Sequence, residues 1–248
     1  MKETPKDFNL IYNDVQFPSN GDSLKSWYIP ASKSKAIVII VHGYLDVKAV
    51  LLEHAVYLHD NGYATFLIDL RSDSSKRKAM LGISEYKDVE AAYDYLKSLL
   101  INKTKKIGFF GGSMGAVSCI IELGKTGKGD FLIASVPYAN FTSLFKKRLQ
   151  GENLPQFFLP FLQLAAIFEL GWGYWQFSSD KLIKNIHVPL LFSSADNDSI
   201  VDRKDAKLLY NLANKPKYYW NIATDHNIFK ERPEEFKKHV LNFLKKLD

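Results

Sequence analysis

The sequence predicts an α/β protein: a mostly parallel, doubly wound sheet with an antiparallel N-terminal edge and a helical cap insertion. Three observations carry that expectation. Apolar runs of strand length alternate with amphipathic stretches of helical length, the order that builds right-handed βαβ crossovers. The first of the central runs, Ala36 to Val41, is apolar at every position, as a strand buried on both faces is. The pentapeptide Gly111-Gly112-Ser113-Met114-Gly115 stands where such a run gives way to a helix.

Taken in order, Phe8 to Phe17 and Leu24 to Ile29 read as strands joined across Asn20-Gly21-Asp22, where glycine supplies the positive φ of a hairpin. Ala36 to Val41 is a buried parallel strand that ends abruptly at His42-Gly43. Leu51, Leu52, Ala55 and Leu58 fall at helical spacing, with Asn61-Gly62 as the stop. Ala64 to Leu70 is the next strand. Ser84 is positioned to cap a helix whose apolar face is Val89, Ala92, Tyr93, Leu96 and Leu99, and Lys106 to Phe110 follows as strand. Beyond Ser113 come a helix to Gly124, strands Phe131 to Val136 and Val188 to Ser193, a helix from Asp202 to Ala213, a strand Tyr218 to Ile222 and a helix from Pro233 to Leu247.

Residues 140–186 break this rhythm and divide the core into 1–139 and 187–248. The stretch is rich in aromatic residues, and from Leu154 to Phe177 only Glu169 is charged. Pro155, Pro160, Gln163, Glu169, Gln176 and the Gly171/Gly173 pair argue against a membrane span, because each breaks a helix or is costly in hydrocarbon. A lid folded over a pocket is the favoured reading, with Phe157, Phe158, Phe161, Trp172 and Trp175 as candidate substrate contacts. Contact with a membrane interface is the lesser alternative.

At 248 residues the chain can bury a sizeable core as one large domain with an insertion. The single cysteine, Cys119, excludes an internal disulfide and suits a reducing cytoplasm, and the polar N-terminal residues lack the apolar core of a secretory signal. A cytoplasmic protein is therefore expected. The net charge of +6 comes from scattered lysines, Lys146-Lys147-Arg148 being the densest basic cluster, and no nucleic-acid motif accompanies it. No His, Cys or Asp cluster has a metal-ligand spacing.

The chemistry centres on Ser113. G-x-S-x-G on a strand-to-helix turn lifts a hydroxyl out of the sheet, and a nucleophilic serine then needs a base, an orienting acid and an anion pocket. In this architecture the acid and base follow the serine in that order. Of the later histidines, His187 precedes a strand, at the wrong end of the sheet, and His239 lies on the last amphipathic helix. His226 follows a strand directly and is the expected base. Asp198 is favoured as acid over Asp196, which stands close to its strand end. Asp202 is expected to cap the next helix, and Asp225 adjoins His226 too closely to orient it. Backbone N–H groups of Met114 and Tyr44 are the expected oxyanion donors, each worth about 3 to 4 kcal/mol in the transition state. His42 is expected to bond within its own loop.

The whole resembles the α/β-hydrolase superfamily, in particular cap-bearing serine hydrolases similar to bacterial carboxylesterases, monoacylglycerol-lipase-like and serine-aminopeptidase-like proteins. The resemblance rests on Asn20-Gly21-Asp22-Ser23-Leu24, Trp27-Tyr28-Ile29-Pro30, His42-Gly43, Asp69-Leu70-Arg71, the stretch from Gly82 to Asp88, the elbow, Asp198-Ser-Ile-Val and His226. It implies hydrolysis of a small-molecule ester, thioester or amide through an acyl-serine, without metal or organic cofactor, with Ser113, Asp198 and His226 in the catalytic roles. An ester with an apolar acyl or alcohol part is the leading expectation. Peptidase, thioesterase or acyltransferase activity, or non-catalytic binding of an apolar ligand, are the alternatives. The chain departs from the family where the stretch after Asp69 and the residues after His42-Gly43 lack further glycines.

Overall fold

In the computed structural model, which describes residues 3–71, 78–99 and 105–247, the chain begins with a 3₁₀ turn, Pro5–Phe8, where the sequence predicts the start of a strand. Pro5 fixes φ for a helical first turn, and the Asp7 carboxylate closes it by accepting from Thr4 N at 2.7 Å and Thr4 Oγ1 at 3.0 Å. Strand β1 (Asn13–Ser19) therefore starts later than expected. It pairs antiparallel with β2 (Asp22–Ile29) through a two-residue turn in which Asn20 and Gly21 both take positive φ.

The remaining strands are β3 (Ile37–Val41), β4 (Ala64–Ile68), β5 (Ile107–Gly112), β6 (Leu132–Ser135), β7 (Leu190–Ala195) and β8 (Lys217–Ile222). They form one eight-stranded sheet in the order β1-β2-β4-β3-β5-β6-β7-β8, parallel from β4 to β8. Strands β3 to β7 are buried at every position, which is why their sequences show no polar alternation.

Helices α1 (Leu52–Asp60), α2 (Tyr86–Ser98) and α3 (Met114–Thr126) alternate with the strands; α4 (Phe141–Gly151), α5 (Leu159–Leu170) and α6 (Ser179–Leu182) lie between β6 and β7; α7 (Arg203–Leu212), α8 (Ile228–Glu231) and α9 (Pro233–Leu244) complete the chain. The period of two in β3 sorts the core. Ile37, Ile39 and Val41 pack with Val89 of α2, Ile120 of α3 and Leu209 of α7 on one face. Val38 and Ile40 pack with Leu52 and Leu58 of α1 and Phe236 and Val240 of α9 on the other.

Helix α2 starts at Tyr86 rather than at a Ser84 cap, and the Ser84 hydroxyl is buried without a partner. Glu85 organises this turn instead: its carboxylate accepts from Met80 N at 2.8 Å and Gly82 N at 2.9 Å. Two separated parts of the sequence meet here, since Asp88 accepts from the Arg71 guanidinium at 2.6 Å and from Arg71 N at 2.9 Å, fully buried. The glycine-poor stretch that continues from Arg71, with Asp73, lies outside the described residues.

The insertion is helical, and among the described residues no helix is long and apolar enough to cross a membrane. At its root Asn140 caps α4 by accepting from Ser143 N, and Ser143 Oγ donates to Asp205 Oδ1 at 2.7 Å, tying α4 to α7. Burial pushes the Asp205 carboxyl up to about 6, with Asp202 and Asp180 adding to the rise against its hydrogen bonds. An unfolded aspartate ionises near 3.9, so between roughly pH 4 and 6 the unfolded chain holds fewer protons and folding loses stability as pH rises. Asp205→Asn abolishes that contribution. Thermal denaturation should show the variant gaining stability relative to the wild type on moving from about pH 4 to pH 7; an unchanged difference would contradict this origin.

Candidate active site

Strand β5 ends at Gly112 and α3 begins at Met114, which leaves Ser113 alone on the turn at φ 52° and ψ −120°. For a residue with a Cβ such a conformation costs on the order of 1–3 kcal/mol and persists only where the surroundings enforce it. Here Ser113 N donates to Ser135 O at 2.9 Å, and Ser113 O accepts from Val117 N at 3.1 Å. Packing does the rest. A Cβ on Gly115 would lie 2.3 Å from Val41 O and 2.5 Å from His42 O, so the first turn of α3 is held directly against the end of β3.

The loop after β3 is fixed by His42, which is fully buried. Its Nε2 accepts from Leu70 N at 3.0 Å, which leaves Nδ1–H to donate to Gly43 O at 2.9 Å. This pins the loop to the end of β4. Gly43 then passes beside the elbow, where a Cβ would meet that of Ser113 at 3.7 Å. Met114, as the first residue of α3, has an N–H with no acceptor inside the helix.

On the other side, the loops after β7 and β8 are laced together: Asp196 N donates to Ile222 O at 2.9 Å and Asn197 N to Thr224 O at 3.0 Å. That lacing brings Asp198 to His226, with 2.7 Å between Oδ2 and Nδ1. Asp198 is buried, and its Oδ1 accepts from Ile200 N and Val201 N, both at 2.8 Å. An acceptor-only carboxylate so held requires His226 Nδ1 to carry the proton, leaving Nε2 as the basic nitrogen. The competitors are engaged elsewhere. Asp196 accepts from Asn221 and Arg203, which hold its carboxyl below the usual range; Asp225 accepts from its neighbour His226 N and from Ser199; Asp202 caps α7. His187 is exposed, and His239 stacks on Trp220 at 4.3 Å, with burial lowering its pKa.

Ser113 and His226 line one cavity of about 300 Å³, whose further wall comes from Gly43, the first turn of α1 and Phe229 of α8. Its rim carries Glu3, Asp46, Glu53 and Lys230. None of Phe157, Phe158, Phe161, Trp172 and Trp175 lines it; these side chains are exposed on the insertion, Trp172 at 82% and Phe157 at 66%. Tyr44 instead borders a second depression, of about 450 Å³, with Leu162, Ala165, Ala166 and Leu170 of α5. Sequence reasoning overlooked those four, although their spacing marks one face of a helix. It overlooked His54 too, which shares the apolar face of α1 as the position three after Leu51 and four before Leu58.

No family model matches the sequence, and no curated protein matches it. Among solved structures, the fold is similar to the Pyrococcus furiosus esterase Pf2001, with a TM-score of 0.82 at 24% identity over 100% of this chain and 95% of that one. It is similar to the α/β hydrolase GrgF from Penicillium sp. sh18, with a TM-score of 0.75 at 18% identity over 96% and 99%. It is also similar to the Pyrococcus horikoshii acylaminoacyl peptidase, with a TM-score of 0.73 at 16% identity over 97% of this chain and 42% of that one. With the strand order described above, this likeness establishes that the chain has the α/β-hydrolase fold.

The contact beneath the elbow makes a direct prediction. Gly115→Ala must push α3 away from β3 and should destabilise the protein by about 1–3 kcal/mol, or prevent folding. Gly151→Ala, whose Cβ would have its nearest neighbour at 3.9 Å, should stay near wild type in the same urea titration.

Proposed function

We propose that the chain is a serine hydrolase that cleaves carboxylic esters with an apolar acyl or alcohol part. The observation that carries this reading is the joint placement of a strained Ser113 and an Asp198-bonded His226 on one cavity. In the proposed cycle Ser113 Oγ attacks the carbonyl carbon while His226 Nε2 takes its proton. The Nδ1–H···Oδ2 bond to Asp198 holds the ring in that tautomer and stabilises the imidazolium as it forms. The carbonyl oxygen, now negative, is received by the Met114 and Tyr44 N–H groups. As the tetrahedral intermediate collapses, His226 gives the proton to the departing alcohol and Ser113 is left acylated. Water then attacks the acyl carbon as His226 takes its proton, and when the C–Oγ bond breaks His226 returns that proton to Ser113 Oγ, releasing the acid and restoring the serine hydroxyl. The partly apolar wall of Ala49, Val50, Leu51, Leu52, Val136 and Phe229 favours an apolar substituent beside the ester.

A fluorophosphonate probe tests the reading most directly: it should label wild-type protein at Ser113 and leave Ser113→Ala unlabelled, and absence of labelling in folded wild type would refute it. Ser113→Ala should lower ester turnover by at least about 10⁴-fold. Asp198→Asn should lower kcat far more than Asp196→Asn, because only the former reverses the hydrogen bond that sets the His226 tautomer. The opposite ranking would reassign the acid.

A further inference from the structure

Helix α5 is apolar on two opposite faces, and the protein covers only one of them. Ala166 is buried, and Leu162 and Leu170 border the depression beside Tyr44, which accounts for the inner face. Phe161, Leu164 and Phe168, three and four residues apart, share the outer face and are 64%, 53% and 81% exposed. Exposed rings continue at both ends of the helix. Before it, the 3₁₀ turn Gln156–Phe158 brings Phe157 to 4.3 Å from Phe158, which in turn lies 6.2 Å from Phe161. Beyond it, Trp172 packs edge to face on Trp175 at 5.4 Å. This is more apolar surface in one segment than a monomer ordinarily leaves to water, and it calls for a covering partner.

The polar groups around these side chains narrow the partner. The amides of Gln156 and Gln163 are already engaged, donating to Lys146 O at 3.3 Å and Thr142 Oγ1 at 3.2 Å, whereas a protein interface carries about one hydrogen bond per 100–200 Å². The acids are engaged too. Glu152 pairs with Arg148 at 3.0 Å and Glu169 with Lys78 at 2.9 Å, while Asp180, half-buried at the root of the insertion, accepts from Asn140 Nδ2 at 2.9 Å. Two exposed lysines border the aromatic clusters: Lys146, bonded through its carbonyl to Gln156, and Lys181, which donates to Trp175 O at 3.1 Å. Neither makes an ion pair among the described residues. With Lys147 and Lys184, residues 140–186 hold five basic and three acidic side chains. A second copy of this face would bring further lysines and no free carboxylate to meet them. Anionic lipid supplies the missing charge, its acyl region accommodates Phe and Leu, and indole rings suit the boundary between the two.

We propose that the insertion is a lipid-docking surface: α5 lies in the plane of an anionic bilayer, with Phe157, Phe161, Leu164, Phe168 and Trp172 at the acyl boundary and Lys146 and Lys181 among the headgroups. The 12-residue helix is about 18 Å long, too short to cross a bilayer core and long enough to lie along its surface. Its inner face stays on the protein, so docking requires no unfolding of the insertion. This inference stands apart from the serine-hydrolase reading, since it uses neither Ser113 nor His226.

The test is co-sedimentation of the full chain with vesicles of ether-linked phosphatidylcholine, alone or mixed with ether-linked phosphatidylglycerol; without acyl esters, hydrolysis stays out of the readout. Wild type should bind the mixed vesicles at least about 10-fold more strongly than phosphatidylcholine alone, with a blue shift in tryptophan emission. The triple variant Phe161→Ser, Phe168→Ser, Trp172→Ser should lose at least about 10-fold in binding to the mixed vesicles, while its urea midpoint stays near wild type because all three side chains are exposed. Trp172→Ser alone, outside the helix, should weaken binding in the same direction. Lys146→Glu with Lys181→Glu should abolish the preference for phosphatidylglycerol. No binding of wild type to mixed vesicles would overturn the proposal, as would an affinity that charge reversal leaves unchanged. Binding that survives the serine substitutions would reduce it to adsorption through the net charge of +6 and overturn it equally. A lipid-free wild-type dimer in sedimentation equilibrium, dissociated by the same serine substitutions, would assign the surface to a second copy and overturn the lipid partner.

Discussion

The approach of α3 to the end of β3 is the contact on which the rest of the site depends. A helix can begin this close to a neighbouring strand only where its first turn presents no Cβ, and Gly115 meets that condition against Val41 O and His42 O. Held there, the chain has no relaxed path from β5 into α3, so Ser113 is left with positive φ and its side chain stands clear of the sheet. The same contact brings the loop after β3 beside Ser113, since the helix presses against Val41 and His42, where that loop begins. The strained turn at Ser113 and the placement of the loop beside it are thus two sides of one steric constraint.

Asp198 and His226 are brought together by different means. Asp198 and His226 lie on loops that share no helix or strand, and backbone hydrogen bonds between those loops set their separation. Because Oδ1 of Asp198 is already engaged by two backbone N–H groups, only Oδ2 is directed at the imidazole. A carboxylate with that many fixed donors has little freedom to rotate, so it holds the imidazole in one orientation.

The five aromatic residues of the insertion that the sequence put forward as substrate contacts do not border the cavity at Ser113. Phe157, Phe161, Phe168 and Trp172 face solvent, Phe141 and Tyr174 are buried, and Phe145 with smaller residues of α5 borders the depression next to Tyr44. The cavity at Ser113 is walled on the α1 and α8 side instead. Side-chain size marked the insertion in the sequence, but helical phase decides which of its residues face inward.

Much of this was legible in the residues themselves. Unbroken apolar strands, intervening helices and the glycines around Ser113 determined a doubly wound sheet with an elbow, because backbone sterics and strand burial act locally on the residues that carry them. The order Ser113, Asp198, His226 narrowed the candidates further. Only the tertiary structure decided which aspartate meets the imidazole, since Asp196 and Asp198 differ in how two distant loops bond to each other. It also moved the first strand to Asn13, where Pro5 and Asp7 had closed a turn, and replaced the Ser84 cap with the Glu85 carboxylate. His54 marks the boundary most clearly: its position on the apolar face of α1 was readable, but its unpaired nitrogen exists only because Phe110, Phe229 and Phe236, far apart in the chain, close around it.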